Sequence, residues 1–393
     1  MQLASIETIY QRCSQDRLMK NTAENLVYVP LEQWWDSLLE EMADEYLDEA
    51  HNHPWIVGFS GGKDSTLVAH AAFEMLSRLR PSQRNREIHI VSNDTLVESP
   101  LVISHLDMVT EQIRLAGDSL ALPIKVVRTY PEPDKTFWVL LIGKGYPSPN
   151  QTMRWCTDRL KIQPTSSYIK ENVSRSGAAI VVLGVRKDES NTRKRSIEKR
   201  VLVRGSRLIA HEELPGAYIY RPIVDLVTDQ VWEALATYTP PWGGTHRALI
   251  QLYRDAEGGE CPVVLSKAEA PGCGTASSRF GCWTCTVIEK DKSLQGFVDS
   301  GKIQYSALIE FRDWLKEIRN DPARRQVTRR NGKVTFSNGK HVPGPFTINT
   351  RLEILERLLK LQEKFGDRLI SESEIDEIKK IWSEDIASKM EIA

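Results

Sequence analysis

Trp55-Ile56-Val57-Gly58-Phe59-Ser60-Gly61-Gly62-Lys63-Asp64-Ser65, followed by Thr66-Leu67-Val68-Ala69-His70-Ala71-Ala72, is the stretch that decides the fold. Its first five residues form a short apolar run, the pattern of a strand buried on both faces. Ser60–Ser65 contains two adjacent glycines and reads as a turn. Beyond it Leu67, Val68, Ala71, Ala72, Met75 and Leu76 recur at helical spacing, which predicts a helix with a buried stripe. A strand, a glycine turn and a helix in that order leave backbone N–H groups at a helix N-terminus, where they can hold a pyrophosphate. Gly61 and Gly62 permit close backbone approach, and Ser60, Lys63 and Ser65 add hydroxyl and ammonium donors. The spacing is not that of the GxxxxGK[ST] loop.

The same alternation continues outward. Ile88–Val91 and Ile124–Val127 read as strands, with Val102, Leu106, Val109 and Ile113 marking a helix face between them. Ala178–Val185 reads as a further buried strand, and Ile223-Val224-Asp225 leads into a helix around Thr228–Leu235. Strands alternating with helices predict an α/β fold, a doubly wound parallel sheet covered by helices. The expected organisation is a helical lead-in over 1–50, the α/β domain over 51–245, a cysteine-rich region over 246–300 and a mainly helical, partly basic addition over 301–393. Asn331-Gly332 and Asn338-Gly339 suggest a hairpin in that last part, followed by a leucine-rich helical pair.

With 393 residues and 41% hydrophobic composition the chain can bury a full core. Its formal net charge of −1 exerts no global pull on nucleic acid, so a polyanion-binding surface has to be a local patch. The start of the sequence lacks the charged-then-apolar order of a signal peptide, and no apolar run approaches the roughly 20 residues of a membrane span. A cytoplasmic protein that does not engage a membrane is the expectation. Four of the six cysteines lie between Cys261 and Cys285, which in a reducing compartment favours metal or redox chemistry over disulfides.

Ser60-Gly61-Gly62-Lys63-Asp64-Ser65 resembles the signature of the PP-loop ATP pyrophosphatases, which include phosphoadenylyl-sulfate reductases and tRNA thiolases. Asn93-Asp94-Thr95-Leu96-Val97-Glu98 is similar to the reductases' DTGxxFPE segment, and Gly184-Val185-Arg186 through Glu189, Ser190 and Arg193 resembles their GxRxxES…R segment. The resemblance implies the fold of the adenine nucleotide alpha-hydrolases, ATP with Mg2+ as cofactor, and adenylation of an oxygen with release of pyrophosphate. It places Ser60 through Ser65, Asp94, Thr95, Arg186 and Arg193 around the nucleotide, with Lys63 and Asp64 at the chemistry. Each of these segments follows an expected strand, where open parallel sheets bind their ligands.

Cys261, Cys273, Cys282 and Cys285 offer four thiolates, the last two at the Cys-x-x-Cys spacing at which one turn presents two ligands. Zinc also accepts four thiolates. The family resemblance is what favours a [4Fe-4S] cluster. Cys156 stands apart in Met153-Arg154-Trp155-Cys156-Thr157-Asp158-Arg159-Leu160-Lys161, among cations that favour a thiolate. That segment resembles the Cys-Cys-x-x-Arg-Lys motif of cluster-bearing reductases, with Trp155 in place of the first cysteine. Cys156 is read as the persulfide-carrying nucleophile; the alternative makes it a cluster ligand and leaves Cys261 as the relay thiol.

Several stretches look closely like the DNA phosphorothioation sulfurtransferases, the C component of the Dnd system: NDTLVESPLV, MRWCTDRLKI, LGVRKDES, CGTASSRFGCWTCTV and GPFT. This implies a DNA phosphodiester as substrate, a cysteine desulfurase as sulfur donor and other phosphorothioation subunits as partners. Arg319, Arg324, Arg325, Arg329, Arg330, Lys333 and Lys340, set against Asp321, form a candidate phosphate-tracking patch. A second basic run, Arg193-Lys194-Arg195 with Lys199 and Arg200, flanks the nucleotide segment. Trp314 and Phe336 are able to stack on bases, although core packing is the expectation for both. Two other functions fit: a tRNA thiolase of the same family, or a non-catalytic ATP-sensing scaffold of a DNA-defence complex.

Overall fold

The computed structural model describes residues 30–199, 207–256 and 280–390. Helix α1 (Leu31–Leu47) lies in the expected helical lead-in and buries Trp34, Trp35, Leu38, Leu39 and Met42. Strand β1 (Trp55–Gly58) is buried along its whole length. It is followed by α2 (Lys63–Arg78), whose predicted stripe from Leu67 to Leu76 is inside. Then come β2 (Ile88–Asn93), α3 (Pro100–Ser119), β3 (Ile124–Thr129), α4 (Gln163–Ser176) and β4 (Ala179–Val182). A short helix α5 (Asn191–Glu198) precedes β5 (Ile209–Ala210) and β6 (Ala217–Tyr220).

The six strands lie in the order β3-β2-β1-β4-β6-β5, all parallel except the edge strand β5, which pairs antiparallel to β6. The chain leaves β1 toward β2 and β3, then returns to the other side of β1 with β4. The sheet is therefore doubly wound, and its winding reverses between β1 and β4. At such a reversal the loops beyond the two strands part, and the Ser60–Ser65 turn, which leaves β1, stands at that point. The sequence pattern predicts the parallel core; it gives no sign of the two-residue antiparallel edge.

Helices α6 (Thr228–Thr237) and α7 (Arg247–Ala256) follow the sheet, and α8 (Lys292–Asp299) and α9 (Ser306–Ile318) follow the cysteine-rich segment. The hairpin β7 (Thr335–Ser337) and β8 (Lys340–Val342) turns at Asn338-Gly339, both with positive φ, the geometry that this residue pair favours. The chain closes with α10 (Ile348–Phe365) and α11 (Glu372–Met390). These two pack on a buried π-helical turn, Val139–Gly143, and Trp138 donates its indole N–H to the Leu369 carbonyl (2.7 Å). One apolar cluster runs from Leu31 to Ile381, so the C-terminal helices share the core of the sheet.

Candidate active site

The Ser60–Ser65 loop leaves the C-terminal end of β1 and enters α2 with Gly62 as its N-cap. Gly61 has φ +75°, a left-handed conformation that favours glycine, and a Cβ there would press on Leu106 and His105. The Ser60 and Ser65 hydroxyls lie 3.0 Å apart; Ser65 also accepts the Ser60 N–H and donates to the Gly62 carbonyl. These contacts fix a tight loop. The Lys63 N–H, the first amide of the helix, donates to the Tyr253 hydroxyl at 3.2 Å. Tyr253 comes from α7 and is held edge-on by Trp232 and Phe280, so an aromatic from a distant helix engages one of the amides expected to meet phosphate.

Asp64 is the hub of the next layer. Its carboxylate meets the Lys63 ammonium at 2.8 Å and the Arg186 guanidinium on the other side. Arg186 follows β4 and is 1% exposed, with further bonds to Asp188, to the Leu226 carbonyl and to Thr228, each at 3.2 Å. Burial works against its charge, and the Asp64 carboxylate more than offsets this, so the guanidinium pKa is raised. Gly184 explains the proximity: a Cβ there would stand 2.8 Å from the backbone of Asp64. In this arrangement Arg186 orients Asp64 rather than presenting a fork to solvent. Arg193 is tied to the same loop through Glu189 (2.6 Å), whose other oxygen accepts the Arg186 N–H (2.8 Å). Of the second basic run, Lys194, Arg195 and Lys199 are exposed, and Arg200 lies outside the described residues.

The loop after β2 carries the other nucleotide candidates. Asp94 is buried and its carboxyl accepts the Leu96 N–H at 2.8 Å; burial raises its pKa. Thr95 is fully buried. Its hydroxyl lies 3.0 Å from Glu98 Oε1 and 3.3 Å from Cys282 Sγ. Glu98 forms a β-bridge with Cys282, and the Trp283 N–H donates to the Val97 carbonyl at 3.0 Å. The Cys282–Cys285 turn, closed by Cys285 N–H to Cys282 C=O at 3.0 Å, is therefore stitched onto the loop after β2.

The Cys156 segment reaches the same loop from the other side. Cys156 caps a π-helical turn, Thr157–Ile162, whose Leu160 carbonyl accepts from Asn93 at 2.8 Å and whose Lys161 ammonium lies 3.5 Å from Glu98. Just upstream, the Pro149 carbonyl accepts from Thr286 (2.7 Å) and from Arg319 (2.6 Å). Arg312, 1% exposed, grips the carbonyls of Cys285 (2.8 Å) and Glu289 (3.1 Å). Cys156, Cys282 and Cys285 are all half-buried. The Cys-x-x-Cys turn thus suits a shared metal centre, with two thiols on one anchored turn. Cys13, Cys261 and Cys273 lie outside the described residues, and among the described residues no group of three or more side chains is arranged to hold a metal ion.

Behind Gly61 lies a histidine cluster that no local pattern in the sequence marks. His70 Nδ1 and His246 Nε2 are 3.1 Å apart, and His105 beside them has no hydrogen-bond partner among the described residues for either ring nitrogen. Burial pushes His105 down to about 4; burial, with repulsion from His70 and His105, pushes His246 down to about 3. His105 and His246 are therefore held neutral behind the loop at neutral pH.

The basic stretch requires a correction. Arg319 and Arg325 are spent on backbone carbonyls, Arg324 pairs with Glu353 and Asp321, and Arg330 pairs with Asp385. Phe336, expected in the core, is 65% exposed, whereas Trp314 is half-buried with the Arg357 guanidinium 4.1 Å above its ring.

The family model of the phosphoadenosine phosphosulfate reductase domain matches residues 54–288, and the chain belongs to that family. An uncharacterized protein of Methanocaldococcus jannaschii is 28% identical over 148 residues, which are 38% of this chain; the match spans only 25% of that relative's length. Among solved structures, the phosphoadenylyl-sulfate reductase of Candida auris is similar at 14% identity, covering 53% of this chain and 87% of that one, with a TM-score of 0.31. The U34-tRNA thiolase of Methanococcus maripaludis, solved with its [4Fe-4S] cluster, gives 12%, 72%, 80% and 0.33. The NAD+ synthetase of Burkholderia pseudomallei gives 12%, 87%, 92% and 0.38. Among the described residues no helix is long and apolar enough to cross a membrane.

Proposed function

We propose that this chain is an ATP-dependent sulfurtransferase of DNA phosphorothioate modification. The observation that carries the proposal is the loop after β2. Thr95 and Glu98 meet Cys282, and Lys161 from the Cys156 segment meets the same Glu98, one strand away from the phosphate loop. Nucleotide-handling and sulfur-handling groups are thereby fixed on one rim.

In the proposed reaction a non-bridging oxygen of a DNA phosphodiester attacks the α-phosphorus of ATP and pyrophosphate leaves. Backbone amides at the start of α2 and the Lys63 ammonium stabilise the developing charge, and Asp64, held by Arg186, orients Lys63; a magnesium ion bound with ATP would add charge neutralisation of its phosphates, and Asp64 is the carboxylate that would help hold it. The terminal sulfur of a Cys156 persulfide, loaded by a cysteine desulfurase, then attacks the activated DNA phosphorus and expels AMP with the former DNA oxygen. Attack of a second thiolate on the remaining S–S bond releases the phosphorothioate and leaves a disulfide, which an external dithiol reduces. Cys282 and Cys285 would hold two corners of a [4Fe-4S] cluster, a group able to bind an extra sulfur or supply electrons. Companion subunits would present the DNA.

Mass spectrometry of nuclease-digested DNA, from cells carrying the complete gene set with intact protein or with Cys156→Ser, tests this reading. Phosphorothioate dinucleotides that vanish in the variant are expected. Their absence with the intact protein, together with thiolated bases in tRNA, would move the substrate to RNA; equal yields from both would remove Cys156 from the chemistry.

A further inference from the structure

We propose that the β7–β8 ribbon enters a groove of duplex DNA and clamps its phosphates from both sides, an inference that rests on the DNA reading above. The stretch 322–352 contains no aspartate or glutamate but seven arginines and lysines. Sequence alone weights these cations equally; the structure divides them. Arg324, Arg325, Arg330 and Arg351 are consumed by carboxylates or buried carbonyls of the protein. Arg329, Lys333 and Lys340 have no carboxylate within 4.0 Å among the described residues.

Those three flank the ribbon. Arg329 and Lys333 stand at its base, where the Arg329 N–H donates to the Lys333 carbonyl at 2.8 Å, and Lys340 stands at its tip beside the Asn338-Gly339 turn. The register pairs Phe336 with His341 and Ser337 with Lys340, so the aromatic and the tip cation project to opposite faces. Phe336 on the ribbon and Val327 and Val334 in the segment leading into it are 65%, 64% and 47% exposed.

The ribbon is nevertheless built to stay in place. His341 contacts the Val327 carbonyl at 2.9 Å, Gly344 N–H donates to Gln326 C=O at 2.7 Å, and the Arg325 guanidinium holds the Gly344 and Pro343 carbonyls. A two-stranded ribbon held in this way fits the width of the major groove, and the cations at its base and tip then reach the phosphates lining the groove. The apolar side chains meet base edges, where thymine methyl groups offer the matching surface.

The test is fluorescence anisotropy of a labelled DNA duplex with the full chain over a salt series. It compares the wild type with Arg329→Ala/Lys333→Ala/Lys340→Ala and with Phe336→Ala, each checked for an unchanged urea midpoint. For the triple variant the expected result is a loss of affinity of roughly tenfold or more at physiological salt, and a salt dependence shallower by about 2 to 3 units of log K per log salt. Phe336→Ala is expected to weaken binding with the slope unchanged. Wild-type binding that none of these substitutions alters would overturn the ribbon and leave the DNA reading intact. Failure of the wild type to bind duplex DNA would also overturn the ribbon, while the DNA reading stands or falls on the phosphorothioate measurement in cells.

Discussion

The phosphate loop and the arginine-rich stretch resemble each other in sequence: each sets cations beside glycines, and each invites an anion. In the folded chain they divide their cations by different rules. Beyond β1 and β4 the buried arginine, Arg186, spends its charge on the buried carboxylate of Asp64 and so acts through the glycine loop. In the stretch from Arg319 to Lys340 the half-buried Arg319 and Arg325 spend donors on backbone carbonyls, and the hairpin cations Arg329, Lys333 and Lys340 remain for a partner. Pairing, more than charge count, decides which cation is available, because burying a guanidinium is costly unless nearby acceptors offset its lost hydration.

The sharpest way to break this contrast is Arg186→Met against Arg329→Ala. Removing Arg186 leaves Asp64 buried without its main counter-charge, and a loss of about 3 to 5 kcal/mol in urea unfolding is expected, together with loss of ATP turnover. Arg329→Ala is expected to stay within about 0.5 kcal/mol. Equal effects would mean that the two arginines play the same part.

Acid sharpens the contrast next. His105 and His246 have folded pKa values of about 4 and about 3, against an ordinary 6.5. Both are depressed, so the stability they contribute is fully present above pH 6.5 and is lost as pH falls from there toward 4 and 3. Near about pH 5 each costs about 2 kcal/mol, and the protection of the loop amides against hydrogen exchange should fall before that of the β7–β8 hairpin. A hairpin that loses protection first would point to a different weak spot.

The smallest expected effect belongs to Tyr253. Its hydroxyl accepts a loop amide that a phosphate oxygen would also seek, so Tyr253→Phe removes a competitor worth about 0.5 to 1.5 kcal/mol. ATP should bind roughly two- to tenfold more tightly in calorimetry. Weaker binding would make the hydroxyl a nucleotide ligand instead.

Read alone, the sequence determined the parallel α/β core, because the apolar run at Trp55–Phe59 and the stripe from Leu67 to Leu76 are local patterns with distinct periods. It also marked the phosphate loop, the following Asp94–Glu98 and Gly184–Arg186 segments, and the hairpin at Asn338-Gly339, since each is a short contiguous signal. Tertiary structure alone decided that Tyr253 engages the Lys63 amide across 190 positions, that Cys282 joins Thr95 across 187, and that three histidines from separate elements back Gly61. It also decided which arginines are spent. None of these has a local period or motif, because each arises where surfaces distant along the chain close on one another and a polar group must find its partner there.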